Sequence, residues 1–222
     1  MNNNKHFEFT DETINVGLHV LHRIRATKDI PIHGVDKGDL GGFVESYDNL
    51  SDHAWVCGNA KVHGNARVSG DAWIQGDAVV FGNARVLGNA EVFGNAKVSE
   101  DAQIFGNAKV FDDAKVFGNA QVFGDAKVYE DAAVSGYAEV CEDARVFGDA
   151  VVTSDRDYIV FKNFWSSGRY FTWTRSNNMW SVGCFYGTGE ELIAKAYRDS
   201  EKSGKQYKRV VDYINELLKE EE

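Results

Sequence analysis

Residues 106–129 read GNAKVFDDAKVFGNAQVFGDAKVY, four consecutive units of six residues. The same unit runs without insertion or deletion from residue 52 to residue 153, which makes 17 units. The third position is alanine in all 17 units, and the fifth is valine in 15 and isoleucine in two. The first position is glycine in 12 units, and 15 of the second positions are asparagine or aspartate. A pattern this strict predicts one local structure that repeats along the chain.

The positions of the unit divide into strand and corner. Because the alanine and the valine are two residues apart, both side chains point to one face of a strand, and the residue between them points to solvent. A glycine followed by asparagine or aspartate can adopt the positive φ values that a sharp bend needs. The apolar period of the array does not fit the 3.6-residue period of a helix. The unit therefore predicts a coil of short strands that turns at regular corners.

The array resembles the hexapeptide-repeat proteins, in which an aliphatic residue is followed four positions later by a small one, as at Val110 and Ala114. This resemblance implies a mainly β fold, a left-handed parallel β-helix with three units per triangular coil, and a homotrimer. Seventeen units then give slightly fewer than six coils. The chain departs from the enzymes of that family in one place, because the position after the aliphatic residue is not glycine but Phe111 or its equivalents.

Two further segments resemble a layout common in bacteriophage and prophage proteins. The sequence GDLGG at 38–42 precedes the repeats, which are of the GNA type, and GCFYGT at 183–188 follows them. This second resemblance implies a phage or mobile-element protein and carries no particular activity with it.

Residues 18 apart are expected to stack on one face of the coil. The sixth positions then form three columns, one of them rich in aromatic residues, and two tryptophans begin the fourth-position column beside it. A continuous exposed aromatic surface predicts a subunit interface, whereas rings folded into the corners would only pack on each other. The predicted interface residues are Phe93, Phe111, Tyr129, Phe147, Trp55 and Trp73.

The flanks of the array differ from it in character. We predict that residues 1–51 form a cap that leads into the helix, since the unpaired strands at an open end need covering. Leu50 is in register with the valine positions, so the first coil should begin before Asp52. Residues 154–222 are predicted to form a separate α+β module.

The module is predicted to contain three antiparallel strands and two helices. The strands are expected at 158–164, 169–174 and 179–185, separated by turns at 166–168 and 176–178. A capping box at Thr188 and Glu191 predicts the start of a helix that continues to about Ser200. Gly204 is expected to end it, and a second amphipathic helix follows over 205–219.

The module also holds the predicted partner-binding residues. They combine aromatic rings with arginine, which is the composition of binding hot spots. The alternative is that the rings form the core of this small module, since about 70 residues need large side chains to be stable. The residues are Trp165, Arg169, Tyr170, Trp173, Arg175, Trp180 and Tyr186.

For chemistry, we predict no catalytic residue, no cofactor and no metal site. The array holds only His53 and His63, and it has no protruding loop. His63 is a weak catalytic candidate, because the hexapeptide-repeat acyltransferases that the chain resembles use a histidine. Zinc needs converging ligands, and these two histidines are ten residues apart, hence on different faces. The remaining candidates, His19, His22 and His33, lie in the N-terminal flank.

Charge and cysteine content limit the partners and the compartment. The net charge is −10, and residues 52–153 alone carry 15 acidic against 8 basic side chains. Such a rod repels phosphate backbones, which argues against direct binding of nucleic acid. The three cysteines suggest no disulfide framework, and there is no signal region or apolar run of about 18 residues. We predict a cytoplasmic protein without membrane contact, in the host cytoplasm if a phage encodes it.

Three functions remain open. The first is a non-catalytic, trimeric scaffold that displays its C-terminal modules to a host or phage protein and inhibits a host defence system. The second is a hexapeptide-repeat acyltransferase. The third is a structural spacer in a virion or assembly. The sequence does not identify the partner, nor does it say whether a small ligand binds between subunits.

Overall fold

The computed structural model describes residues 5–165 and 168–220. They belong to two compact units, Met1–Arg156 and Asp157–Glu222. The first unit, which contains the predicted cap as well as the repeats, is called the rod unit below, and the second is called the C-terminal unit. Ser166 and Ser167, where a turn is predicted, lie outside the described residues.

The rod unit is a parallel β-solenoid of about six coils, as the repeats predict. Three strands come first: β1 is Phe7–Val16, β2 is His19–Ala26 and β3 is Leu40–Val44. Each repeat then contributes one strand of two residues. These strands, β4 to β20, are Trp55–Val56, Lys61–Val62, Arg67–Val68, Trp73–Ile74, Val79–Val80, Arg85–Val86, Glu91–Val92, Lys97–Val98, Gln103–Ile104, Lys109–Val110, Lys115–Val116, Gln121–Val122, Lys127–Val128, Ala133–Val134, Glu139–Val140, Arg145–Val146 and Val151–Val152.

Every third strand pairs in parallel, so residues 18 apart are neighbours and the coil has three faces. One sheet has the order β4-β7-β10-β13-β16-β19, the second β6-β9-β12-β15-β18, and the third β1-β2-β3-β5-β8-β11-β14-β17-β20. The N-terminal strands extend the third sheet, since β1 and β2 are antiparallel and β3 pairs with β5 in parallel. Leu50 bridges to Val68, which confirms that the first coil begins before Asp52.

The repeated positions have the roles that the sequence predicts for them. The alanines and the valines or isoleucines of all 17 units are at most 1% exposed and fill the interior. All 17 first positions have positive φ, including the five that are not glycine. At four of these five, the carboxylate accepts a hydrogen bond from the first-position N–H of the next coil, as Asp52 does from Gly70 and Glu100 from Gly118. The side chain thus contributes a bond that glycine lacks.

The C-terminal unit is an antiparallel sheet covered by two helices. The strands are β21 (Tyr158–Lys162), β22 (Tyr170–Thr174), β23 (Met179–Val182) and β24 (Phe185–Gly187), in that order, and the helices are α1 (Gly189–Asp199) and α2 (Glu201–Glu220). β24 is not among the predicted strands, because the positive φ of Gly183 reverses the chain directly after β23. The capping box of α1 is present as predicted.

The predicted helix break at Gly204 is wrong. α1 ends at Asp199, and Gly204 lies inside α2. A Cβ atom at Gly204 would overlap the ring of Tyr197 on α1. The glycine therefore allows the two helices to approach closely instead of ending one of them. The core of the unit is formed by Phe171, Trp173, Trp180, Val182, Leu192, Val211 and Ile214.

Candidate functional site

Four aromatic rings stack along one corner of the rod. Phe93, Phe111, Tyr129 and Phe147 come directly after β10, β13, β16 and β19. Successive ring centroids are 4.7, 4.7 and 4.5 Å apart, and the rings are parallel to within 9°. This geometry confirms that residues 18 apart stack. We call these four residues the aromatic ladder.

The aromatic ladder is only partly covered within the chain. Phe93, Phe111 and Tyr129 are partly exposed, while Phe147 is 8% exposed. The rings therefore pack on each other, as one reading of the sequence expects, and three of them still present surface. A second stack, Phe105 and Phe123, has the same spacing on another face, with centroids 4.8 Å apart.

Trp55 and Trp73 lie beside two histidines of the predicted cap. Trp55 is 1% exposed and lies beside His6, with ring centroids 6.4 Å apart. Trp73 is partly buried, with the ring of His33 at 5.2 Å. His6 also donates a hydrogen bond from Nε2 to the carbonyl oxygen of Ala54 at 2.8 Å. Trp55 thus has almost no surface for a neighbouring subunit, because residues of the cap occupy that side of the first coil.

The weak catalytic candidate, His63, lies in a cluster that was not predicted from the sequence. His19 is the first residue of β2, Glu45 follows β3, and His63 follows β5, and these three strands are neighbours in one sheet. Nδ1 of His19 is 2.8 Å from Oε1 of Glu45, and the imidazole centroids of the two histidines are 4.8 Å apart. We call these three residues the histidine–glutamate cluster.

Burial and hydrogen bonding set the charge in this cluster. His63 is 7% exposed, and burial together with nearby His19 lowers its pKa. Burial raises the pKa of Glu45, but hydrogen bonds from His19 and from the Gly64 N–H (2.6 Å) outweigh it and leave this pKa below its ordinary value. At neutral pH the carboxylate is charged and the His63 imidazole is neutral. Both groups can therefore donate an electron pair to a metal ion or accept a hydrogen bond.

One signal for the cluster was present in the sequence. Glu45 precedes His63 by 18 residues, so it heads the same column of sixth positions, in which His63 stacks on Phe81 with centroids 5.4 Å apart. His19 gives no such signal. It reaches the column only because the β1–β2 hairpin lies beside β3.

The predicted partner-binding residues divide into core and surface. Trp173 and Trp180 are each 2% exposed and belong to the core. Trp165 is partly buried and packs against that core. The other four residues have surface available: Arg169 and Arg175 are exposed, and Tyr170 and Tyr186 are partly exposed.

The C-terminal unit also has a cleft of about 500 Å³. Trp180 and Val211 form its apolar wall, and Nζ of Lys208 and Oδ2 of Asp212 form an ion pair of 2.7 Å beside it. The start of α1 completes it with Thr188, Gly189 and Glu190. Of the predicted residues, Trp180 is the one that lines this cleft.

Comparison with known protein families and with curated proteins finds no match for this chain. Among the described residues, no helix combines the length and the apolar character that a membrane span requires.

Proposed function

We propose that this chain is a non-catalytic binding scaffold, in which a left-handed rod of the hexapeptide-repeat type associates as a homotrimer and presents the C-terminal unit to a protein partner. The aromatic ladder is the observation that carries this proposal. Parallel rings in a row on an acidic rod leave apolar area in water, and burying apolar area is the main driving force of association.

The charged residues next to the aromatic ladder support a subunit interface on this face of the rod. The rod as a whole is acidic, but two of the four strands before the ladder carry Lys127 and Arg145 at their outward positions. In the other two strands, Lys109 and Glu91 form an ion pair of 2.7 Å. The corner residues Asp112 and Glu130 follow the ladder and are exposed. A basic strip next to an acidic strip lets a second copy pair opposite charges around the rings, which fixes orientation more than it adds affinity.

The trimer and the left-handed winding rest on the resemblance to hexapeptide-repeat proteins. A phage or mobile-element origin, and a host-defence protein as the partner, rest on the phage-like segments before and after the repeats. Within the C-terminal unit, Arg169, Tyr170, Arg175 and Tyr186 are the residues we propose for contact with the partner. Arginine and tyrosine are enriched in hot spots because each combines apolar area with hydrogen bonding.

The acyltransferase remains the second candidate, because Glu45 lies beside His63 and a carboxylate next to an imidazole is a common general-base arrangement. The 7% exposure of His63 weighs against it, since a general base must come within hydrogen-bond reach of its substrate. Acetyl-CoA distinguishes the two functions. An acyltransferase should show a thermal shift with it, and His63→Ala should remove acyl transfer.

Light scattering after size exclusion tests the scaffold. The chain has a mass of 24.7 kDa, and we expect three times this mass at micromolar concentration. The double variant Phe111→Ser/Tyr129→Ser should yield monomers, because it removes the centre of the aromatic ladder. Serine is a suitable replacement, since Ser99 and Ser135 already occupy sixth positions of another column.

The matched control is Phe105→Ser/Phe123→Ser, which removes the stack on another face. This variant should remain trimeric, and circular dichroism should show that both variants fold. A monomeric parent chain, or equal dissociation by both variants, would contradict the proposed interface.

A further inference from the structure

We propose that His19, Glu45 and His63 form a binding site for one divalent transition-metal ion, with Zn²⁺ as the ion that fits best. The site is separate from the aromatic ladder, and the proposal does not depend on the scaffold function. One nitrogen of each imidazole and one carboxylate oxygen lie within 4.8 Å of one another.

The distances within the histidine–glutamate cluster suit a metal with little rearrangement. Zinc binds imidazole nitrogen and carboxylate oxygen at about 2.0–2.2 Å, so two of its ligand atoms are roughly 3–3.5 Å apart. Nδ1 of His19 and Oε1 of Glu45 are already 2.8 Å apart. A separation of at most 4.8 Å elsewhere in the cluster closes to that range by a movement of about 1–2 Å. Rotation of the partly exposed His19 imidazole supplies this movement.

A buried nitrogen without a hydrogen-bond partner supports the metal site independently. The side chain of His63 is 7% exposed, and its Nδ1 is buried without a hydrogen-bond partner. Buried polar atoms nearly always have a partner, and each exception calls for an explanation such as an ion. His63 also lies in the column of stacked rings, where Phe81 holds its imidazole in place. The His63 imidazole is therefore held in position before a metal ion binds.

The chemical type of the three ligand atoms determines which metal ions can bind. Two imidazoles and one carboxylate bind zinc and similar first-row metals, whereas Ca²⁺ and Mg²⁺ prefer oxygen ligands alone. The lowered pKa of His63 keeps the imidazole neutral, as coordination requires. The side chains of His19 and Glu45 are 42% and 28% exposed, so water can complete the coordination.

The second coordination shell is partly built. Oε2 of Glu45 accepts the N–H of Gly64 at 2.6 Å, which orients the carboxylate and leaves Oε1 toward His19. Hydrogen bonds of this kind commonly orient metal ligands. A bound ion would connect β2 of the cap to the first coils of the rod, because its ligands come from three neighbouring strands.

Calorimetric titration of the metal-free full chain with Zn²⁺ tests the site. We expect one ion per chain. His63→Phe, Glu45→Gln and His19→Ala should each weaken binding at least ten-fold. His63→Phe imitates Phe81 of the next coil and preserves the stack, while Glu45→Gln retains an oxygen for the Gly64 N–H. His53→Ala and His22→Ala are the controls and should bind as the parent chain does.

Cobalt gives a second measurement. Co²⁺ in place of Zn²⁺ should produce the visible absorption of a four- or five-coordinate ion, and His63→Phe should abolish it. Circular dichroism verifies that each variant is folded, and His19→Ala changes a side chain that is 42% exposed. Absence of stoichiometric binding, or binding equally strong in all variants and controls, would overturn the proposal, since the latter means surface binding elsewhere.

Discussion

The rod unit and the C-terminal unit bury their apolar side chains in different ways. In the rod, every coil buries the same small side chains, and each coil contacts only its neighbours, so stability is approximately a sum of similar contributions. In the C-terminal unit, one cluster of buried side chains from two strands and both helices forms the core. A single residue therefore carries far more of the stability in the second unit than in the first.

The largest expected effect is the loss of one core ring from the C-terminal unit. Trp180→Ala removes a side chain that is 2% exposed and should cost about 3–5 kcal/mol of unfolding free energy. Hydrogen exchange followed by mass spectrometry should show faster exchange throughout 158–220. Tyr213→Ala, at a residue 59% exposed in the same unit, is the control and should change little. Unchanged exchange in Trp180→Ala would show that the core is not one cooperative cluster.

The same deletion within the rod should have a smaller and more local effect. Val116→Ala removes two carbons from a fully buried side chain, which should cost about 2 kcal/mol. Because strands 18 residues apart are neighbours, exchange should rise mainly in the strands that hold Val98 and Val134. Lys115→Ala changes the exposed preceding residue and should stay within about 0.5 kcal/mol. Faster exchange spread evenly over all coils would contradict the nearest-neighbour description.

The same contrast decides how much of the molecule was predictable. At Val110 or Ala114, local pattern and final environment agree, because every copy of the unit meets the same neighbours. At the five acidic first positions, the positive φ follows from the repeat, but the hydrogen bond that Asp52 accepts from the Gly70 N–H requires the coil spacing as well.

Prediction fails where contacts depend on segments without a period. Nothing in residues 1–51 indicates that His6 covers Trp55 or that His19 reaches Glu45, because both contacts come from the path of the β1–β2 hairpin. In the C-terminal unit, Gly204 has the composition of a helix break, but the position of Tyr197 gives it a packing role. Of the proposed metal ligands, His19 could not be predicted from the sequence for the same reason.

A substitution at a corner of the rod should lower the unfolding free energy moderately, by an amount that depends on the new side chain. Gly106 has a φ of +72°, and an added Cβ would lie 3.1 Å from the nitrogen of Gly124. Gly106→Ala should cost about 1–2 kcal/mol, the typical penalty of this conformation. Gly106→Asp should cost less, because aspartate tolerates positive φ and its carboxylate can accept the Gly124 N–H as Asp52 does that of Gly70. Urea unfolding measures both, and equal costs would refute the role assigned to the acidic corners.

The smallest expected difference between the units is their response to mild acid. All six histidines lie in the rod unit, and residues 157–222 contain none. Burial is the main cause that lowers the pKa of His6 and of His63 below 6.5. The unfolded chain therefore binds protons near pH 6.5 that the folded rod does not, so the stability of the rod falls as pH decreases through 6.5 toward the folded pKa values.

Hydrogen-exchange protection factors at pH 7.0 and 5.5, measured with a chelator present, test this difference. Protection should decrease in the first coils and the cap, and it should hold in 158–220. His6→Gln retains a donor for the carbonyl oxygen of Ala54 and should reduce the dependence on pH. Equal loss of protection in both units would assign the acid response to carboxylates instead, because those are present in both.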